Sequence, residues 1–155
     1  MVADDIQIIE YNPLYKSDFV KLNEEWITHY FRLEPQDIEL FSNPEAIVQN
    51  GGNIFFALYG NAAVGAVALL KEEDGKKYEV SKMAVRPAYR GKGIGKKLLL
   101  HVIDYARKNN FKHLYLVSNT KLAPAITLYE KLGFRQVSPE NNHYERGNYK
   151  AEMFL

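Results

Sequence analysis

The sequence predicts one α/β domain over residues 1–155, a central mixed β-sheet of about six to seven strands flanked by about four helices. Three observations carry this. Runs rich in β-branched and aromatic residues, such as Ile54 to Leu70 with Gly60-Asn61 at its middle, read as antiparallel strands joined by a two-residue turn. Stretches with apolar residues three and four apart read as amphipathic helices alternating with those strands. A glycine-rich turn, Arg90-Gly91-Lys92-Gly93-Ile94-Gly95, leads from a strand straight into one such helix.

Ile6 to Glu10 is the first strand. Asp18 can cap a helix whose apolar stripe is Phe19, Leu22, Trp26, Ile27 and Tyr30, and a second short helix starts near Pro44. After the Gly60-Asn61 hairpin, the turn Glu73-Asp74-Gly75 brings in a third meander strand, Lys77 to Val85. Beyond the glycine turn, Ile94, Leu98, Leu99, Val102, Ile103 and Ala106 form the inward face of a helix ending near Asn109-Asn110. Leu114 to Val117 is a buried strand. Pro124 suits the first turn of the next helix and Gly133 its end, with strands at Phe134 to Val137 and Tyr149 to Leu155.

Composition sets bounds on the chemistry. A chain of 155 residues buries about 70% of its unfolded surface, enough for a core without staples. There is no cysteine, which excludes a cysteine nucleophile, thiolate metal sites and disulfides, and fits a reducing compartment. Met1-Val2-Ala3-Asp4-Asp5 lacks the basic region of a signal peptide, and the apolar run from Ile54 to Leu70 is too short and interrupted to span a membrane. A cytoplasmic protein with no membrane partner is expected. His29, His101, His113 and His143 are scattered without metal-ligand spacing.

The net charge of +1 hides a polarised chain: residues 1–50 carry −7 and the remainder +8, with eight bases between Arg86 and Lys112 interrupted by Asp104 alone. Such a basic half attracts phosphate. Nucleic acid is an unfavoured partner, because the bases are not interleaved with an aromatic platform.

The glycine turn reads as an anion cradle. Gly91, Gly93 and Gly95 clear side chains from the backbone, the following helix offers unpaired N–H groups, and Arg90, Lys92, Lys96 and Lys97 add charge. A nucleoside triphosphate loop is excluded, because Arg90 stands where its first glycine belongs and Lys97 where its hydroxyl belongs. A dinucleotide fingerprint fails too, since Lys96 occupies its third glycine and the strand ending in Ser118-Asn119 lacks an acidic ribose ligand. Taken blandly, the glycines only make a tight strand-to-helix turn.

Arg90 to Gly95, the preceding Lys82-Met83-Ala84-Val85-Arg86-Pro87, and downstream Asn119, Ala125 and Leu128-Tyr129-Glu130-Lys131-Leu132-Gly133-Phe134 together resemble the two cofactor segments of the GNAT superfamily of N-acetyltransferases. The resemblance covers residues 55 to 137 well, whereas the first fifty residues and the tail from Ser138, including Asn141-Asn142-His143-Tyr144, match only in general pattern. It implies acetyl-CoA as cosubstrate without a metal. It places Arg90, Gly91, Lys92, Gly93, Ile94, Gly95 and Lys96 at the pyrophosphate, and Met83, Ala84 and Val85 on a bulged, splayed strand beside the pantetheine arm. Asn119 bonds that arm by resemblance; an asparagine there can equally cap a turn.

Acetyl transfer to an amine sets further requirements. An alkylammonium with a pKa of about 10 must lose a proton before attack. Glu79, four residues before Met83, is the candidate base, against the alternative of a solvent-facing strand glutamate. The thioester carbonyl needs a fixed donor, which backbone N–H groups of Met83 to Val85 would supply. Tyr129 matches the family's general acid; its alternative is a packed tyrosine. With no Gly-x-Ser-x-Gly elbow, direct attack is favoured. The acidic early part suggests a cationic acceptor, with Glu24, Glu25, Glu34, Asp37 and Glu39 as candidate contacts and Trp26 and Tyr30 as candidate walls, although each is individually more at home in packing or a solvated face. A small-molecule or peptide amine is the acceptor class. A non-catalytic acyl-CoA sensor is the rival, and the assembly stays open, with homodimers common in similar proteins.

Overall fold

A computed structural model describes residues 5–139 and 145–155; the candidate tail segment Asn141 to Tyr144 lies outside the described residues. Along the chain run β1 (Ile6–Glu10), α1 (Lys16–Tyr30), α2 (Pro35–Ser42), α3 (Glu45–Gln49), β2 (Asn53–Tyr59), β3 (Ala62–Lys71) and β4 (Lys77–Val85). Then follow α4 (Ile94–Lys108), β5 (His113–Ser118), α5 (Ala123–Lys131), β6 (Arg135–Val137) and β7 (Tyr149–Phe154). They form one seven-stranded sheet in the order β1-β2-β3-β4-β5-β7-β6. All pairs are antiparallel except β4 with β5, so the sheet is mixed as expected.

The first hairpin forms where Gly60-Asn61 predicts it, with Gly60 at φ 61°. The sheet separates two hydrophobic cores. On one face α4 lays Ile94, Leu98 and Val102 against Phe55, Val67 and Val80; on the other, Phe19 and Leu22 of α1 pack with Phe41, Ile47, Phe56 and Ala66. Strands β2 and β3, buried on both faces, therefore read as continuous apolar runs rather than alternating ones.

Three features differ from the sequence expectation. The described residues hold five helices, because α2 precedes the short helix begun by Pro44. Its start is a capping box in which Asp37 accepts from the Glu34 N–H, with Pro35 in the first turn. Helix α1 begins at Lys16, led by a 3-10 turn at Pro13–Tyr15, so Asp18 lies inside its first turn and pairs with Arg86 instead of capping. The last strand, β7, enters between β5 and β6, leaving the three-residue β6 at the edge.

Gly52 lies close against the backbone of a neighbouring strand. A Cβ there would stand 2.0 Å from the Leu69 carbonyl oxygen on β3. Gly52→Ala is expected to lower the unfolding free energy by about 3 kcal/mol, read as a lower denaturation midpoint with an unchanged slope; an unmoved midpoint would show that the α3–β2 turn can back away.

Candidate functional site

The site is opened by an irregularity in β4. Ala66 pairs with Ala84 while Ala68 pairs with Ser81, so β4 carries one extra residue there, and Lys82 takes a φ of 55°. The parity of the strand switches. Tyr78 and Val80 face the α4 core before the bulge, and Met83 and Val85 face it after, with Ala84 on the α1 side. Pairing to β5 stops at Glu79 with Tyr115, and beyond it the two strands part. Between them opens a cleft of about 620 Å³, walled by β4, the end of β5, α1, the start of α4 and α5.

A lysine in left-handed backbone is strained, and its side chain is fastened. Lys82 Nζ lies 2.9 Å from Asp37 Oδ1, with both side chains almost wholly buried. Asp37 also accepts from Arg146 Nη1 at 2.8 Å and Nη2 at 2.9 Å, and Arg146 Nη1 reaches Glu34 Oε2 at 3.0 Å. Burial alone would raise the Asp37 pKa. The Arg146 and Glu34 N–H donors and the Lys82 charge outweigh it and hold the carboxyl at about 2. Burial pulls the Lys82 ammonium below its ordinary value, against the Asp37 charge that raises it.

At the cleft's other end, Gly91 has φ 74° and Gly93, the residue capping α4, φ 83°. Gly93 has no side chain to cap the helix, so the first N–H groups of α4 are left for a ligand. Gly91, Gly93, Ile94, Gly95 and Lys96 line the cleft with Arg90, whose Nε donates to the Val85 carbonyl at 3.0 Å and whose guanidinium lies 4.8 Å over the Trp26 ring. Two bases depart from expectation. Lys92 is exposed outside the lining, and Lys97 donates to the Ile6 carbonyl at the far edge of the sheet.

Met83, Ala84, Val85, Asn119, Tyr129 and Glu79 all line the same cleft. Glu79 is not a solvent-facing strand glutamate: it is 4% exposed, and burial, reinforced by the Glu72 charge and opposed by Lys82 and Lys150, pushes it up to about 7. Tyr129, half-buried on α5, hydrogen-bonds with Ser118, and burial pushes its hydroxyl up to about 12. Asn119 makes two side-chain hydrogen bonds. Its Nδ2 donates to the Arg146 carbonyl at 2.7 Å, and its Oδ1 accepts from the Lys121 N–H at 2.9 Å as a turn-former does.

The acidic candidates fare differently. Glu24, Glu25 and Glu39 are exposed and do not line the cleft, and Glu34 and Asp37 are consumed by Arg146 and Lys82. Trp26 and Tyr30 do line it, and Trp26 also packs against the α1-side core. Sequence reasoning missed Lys82, Arg146 and Asn23, which also line the cleft; for Arg146 the only signal was the isolated base after the acidic Glu145. Among the described residues no group of three or more His, Asp or Glu is placed to hold a metal, and no helix is long and apolar enough to cross a membrane.

Known proteins share this fold. An acetyltransferase of the GNAT family from Staphylococcus aureus superposes with a TM-score of 0.86 at 26% identity, covering 97% of this chain and 99% of that one. The Salmonella typhimurium protein yncA, solved with acetyl-CoA, has a TM-score of 0.74 over 97% of this chain and 92% of its own, and at 20% identity that likeness is one of fold. The uncharacterized N-acetyltransferase YjgM of Escherichia coli is 42% identical over 73 residues, 47% of this chain and 44% of that protein. The chain spans less than half the length of the curated relatives it matches. Residues 11–134 match the profile of the Acetyltransferase (GNAT) family, and the chain belongs to that family.

Proposed function

We propose that this protein transfers an acetyl group from acetyl-CoA to a primary amine by direct attack. The observation that carries the reading is the wedge between β4 and β5, opened by the Lys82 bulge with the glycine turn at one end and Glu79 in its wall. The names of the Escherichia coli and Staphylococcus aureus proteins, and the acetyl-CoA held by the Salmonella one, support it.

The residues fit coenzyme A. A Cβ at Gly91 would meet nothing within 4 Å, so the turn stands open, and its positive φ angles aim backbone rather than side chains at the cleft. The N–H groups from Gly93 to Lys96 would hold the pyrophosphate, with Arg90 and Lys96 beside it and Lys92 adding longer-range attraction. Acetyl-CoA, when bound, supplies the acyl group as an activated thioester. The β4 edge at Met83, Ala84 and Val85, unpaired on its β5 side, offers backbone groups to the cofactor arm and N–H donors to a thioester carbonyl. Asn119 keeps one proton and one lone pair for that arm.

Two groups handle protons. Glu79, pushed up to about 7, is substantially ionised at neutral pH yet basic enough to take a proton from the acceptor ammonium. Tyr129, at about 12, stays protonated throughout and donates a hydrogen bond to the departing sulfur. Direct attack accords with the absence of cysteine.

The deciding assay is free-thiol release from acetyl-CoA with and without spermidine, a lysine peptide, an amino-terminal peptide and kanamycin. Amine-stimulated release supports the transferase, and thermal stabilisation by coenzyme A without release would leave a sensor. Tyr129→Phe is expected to lower kcat about 100-fold while leaving coenzyme A affinity within about two-fold. Gly93→Asp should weaken coenzyme A at least about ten-fold with the fold retained, since a carboxylate enters an anion cradle; unchanged affinity would remove the cradle assignment.

Glu79 has two pH signatures. The kcat/KM for the amine should rise with pH through about 7 as the base ionises, and Glu79→Gln should remove that limb with the activity. Stability runs the other way. Because the folded pKa is raised above 4.5, the Glu79 contribution is fully present below pH 4.5 and lost as pH rises through about 7. Glu79→Gln should therefore melt higher than wild type at pH 8, with the gap closing below pH 4.5; an equal melting temperature at pH 8 would mean the carboxylate is solvated.

A further inference from the structure

The face of α1 that looks into the cleft carries Asn23, Trp26, Ile27 and Tyr30, spaced i, i+3, i+4 and i+7. One turn earlier the same stripe reaches Phe19, fully buried in the core. A stripe whose only task is packing is apolar, and Asn23 breaks it. Its side chain is 1% exposed. The Nδ2 donates to the Phe19 carbonyl at 2.9 Å, which identifies the other end of the amide as the oxygen. That Oδ1 is buried with no hydrogen-bond partner among the described residues.

An unpaired buried carbonyl costs about 1–3 kcal/mol, and a leucine of similar size would avoid it. An oxygen retained at that cost on the wall of a cleft is set for a donor that comes from outside the chain. The two faces of the sheet say which one. Tyr129 and the start of α4 stand with the α4 core, whereas Glu79, one residue out of phase with Tyr78 and Val80, points to the α1 side. Asn23 thus shares its face with the candidate base, opposite the tyrosine.

We propose that Asn23 Oδ1 accepts an N–H from the acceptor amine and, with Glu79, seats the attacking nitrogen. The inference rests on the acetyl-transfer reading. An ammonium arriving there has three N–H bonds. One proton passes from nitrogen to the Glu79 carboxylate and the electron pair of that bond stays on nitrogen, which bonds to the thioester carbon. The C–S bond breaks with its pair on sulfur, a second nitrogen proton passes to that thiolate, and the third N–H remains in the amide and in the bond to Asn23. Asn23 does not titrate, so it orients the nitrogen at every pH and discriminates against acceptors that have no N–H to spare.

The test is steady-state kinetics of the intact protein and of Asn23→Leu and Asn23→Ala, using whichever of spermidine, the lysine peptide, the amino-terminal peptide or kanamycin the wild type acetylates. Loss of a hydrogen bond to a charged group predicts a fall of about 10–100-fold in kcat/KM for the amine, with acetyl-CoA KM and coenzyme A affinity within about two-fold and the pH limb of Glu79 unmoved. Retained coenzyme A affinity also certifies the fold, and the alanine variant serves if the leucine one does not fold. A wild-type kcat/KM for the amine in both variants, or an acetyl-CoA KM that moves as much as the amine's, overturns the inference alone. A wild type that acetylates none of the amines overturns the transferase reading and the inference with it.

Discussion

The buried ion pair between Lys82 and Asp37 is the constraint on which the cleft depends. A strand residue in left-handed backbone costs about 1–3 kcal/mol, and without a tether β4 would relax into regular register with β3. Regular register would return Met83 and Val85 to the α1 side and let β4 continue pairing along β5. Asp37 prevents this from α2, while Arg146, near the start of β7, holds Asp37 from the opposite side. One carboxylate therefore joins a helix, a bulge and a loop around the same opening. The desolvation of these charges makes the cluster a weak source of net stability, but a strong penalty on any arrangement that separates them.

The same bulge sorts Glu79 and Tyr129, the proposed base and hydrogen-bond donor, onto opposite sides. Ahead of it, strand alternation sends Glu79 to the α1 side, where burial raises its pKa toward neutrality. Beyond it, the β4 edge is free of β5 and Tyr129 approaches from α5. A base and a hydrogen-bond donor on opposite walls suit a displacement in which the nucleophile enters from one side and the thiolate leaves toward the other. Burial acts on both in the same direction, favouring the protonated form; it makes the carboxyl a usable base at neutral pH and keeps the phenol a donor.

The strands and α4 were legible because their signals are local: β-branched runs, Gly60-Asn61, and a helical stripe following three glycines. The glycine turn was legible for the same reason, since Gly91 and Gly93 take positive φ. The bulge was not. Lysine carries no preference for left-handed backbone, and what places Lys82 there is Asp37, 45 residues earlier in the numbering. Helix α2 escaped because its capping box uses Glu34 with Asp37 in place of the usual serine and glutamate. Asn23 escaped because a polar residue within an apolar stripe reads as tolerated rather than chosen until its oxygen is seen to lack a partner.

The polarised charge of the sequence acquires a different meaning in three dimensions. An acidic first third invites the idea of a surface that attracts a cationic substrate, yet three of its carboxylates pair with the basic remainder, Asp18 with Arg86, Asp37 with Lys82 and Arg146, and Glu34 with Arg146, while Glu24, Glu25 and Glu39 stay exposed away from the cleft. At these three positions the segregation along the chain becomes neutralisation across the fold, binding α1 and α2 to the strands and loop behind them. Arg90 lies outside these pairs, spread over Trp26 and, among the described residues, hydrogen-bonded through its Nε to the Val85 carbonyl. Its remaining N–H donors stay available beside the glycine turn. Excess positive charge thus persists where a phosphate would sit, and the α1 side of the cleft holds the buried Glu79 carboxyl and the Asn23 oxygen, which has no hydrogen-bond partner among the described residues. On the proposed acetyl-transfer reading, recognition there would depend on hydrogen-bond geometry at a single nitrogen more than on long-range attraction, which screening by salt would weaken.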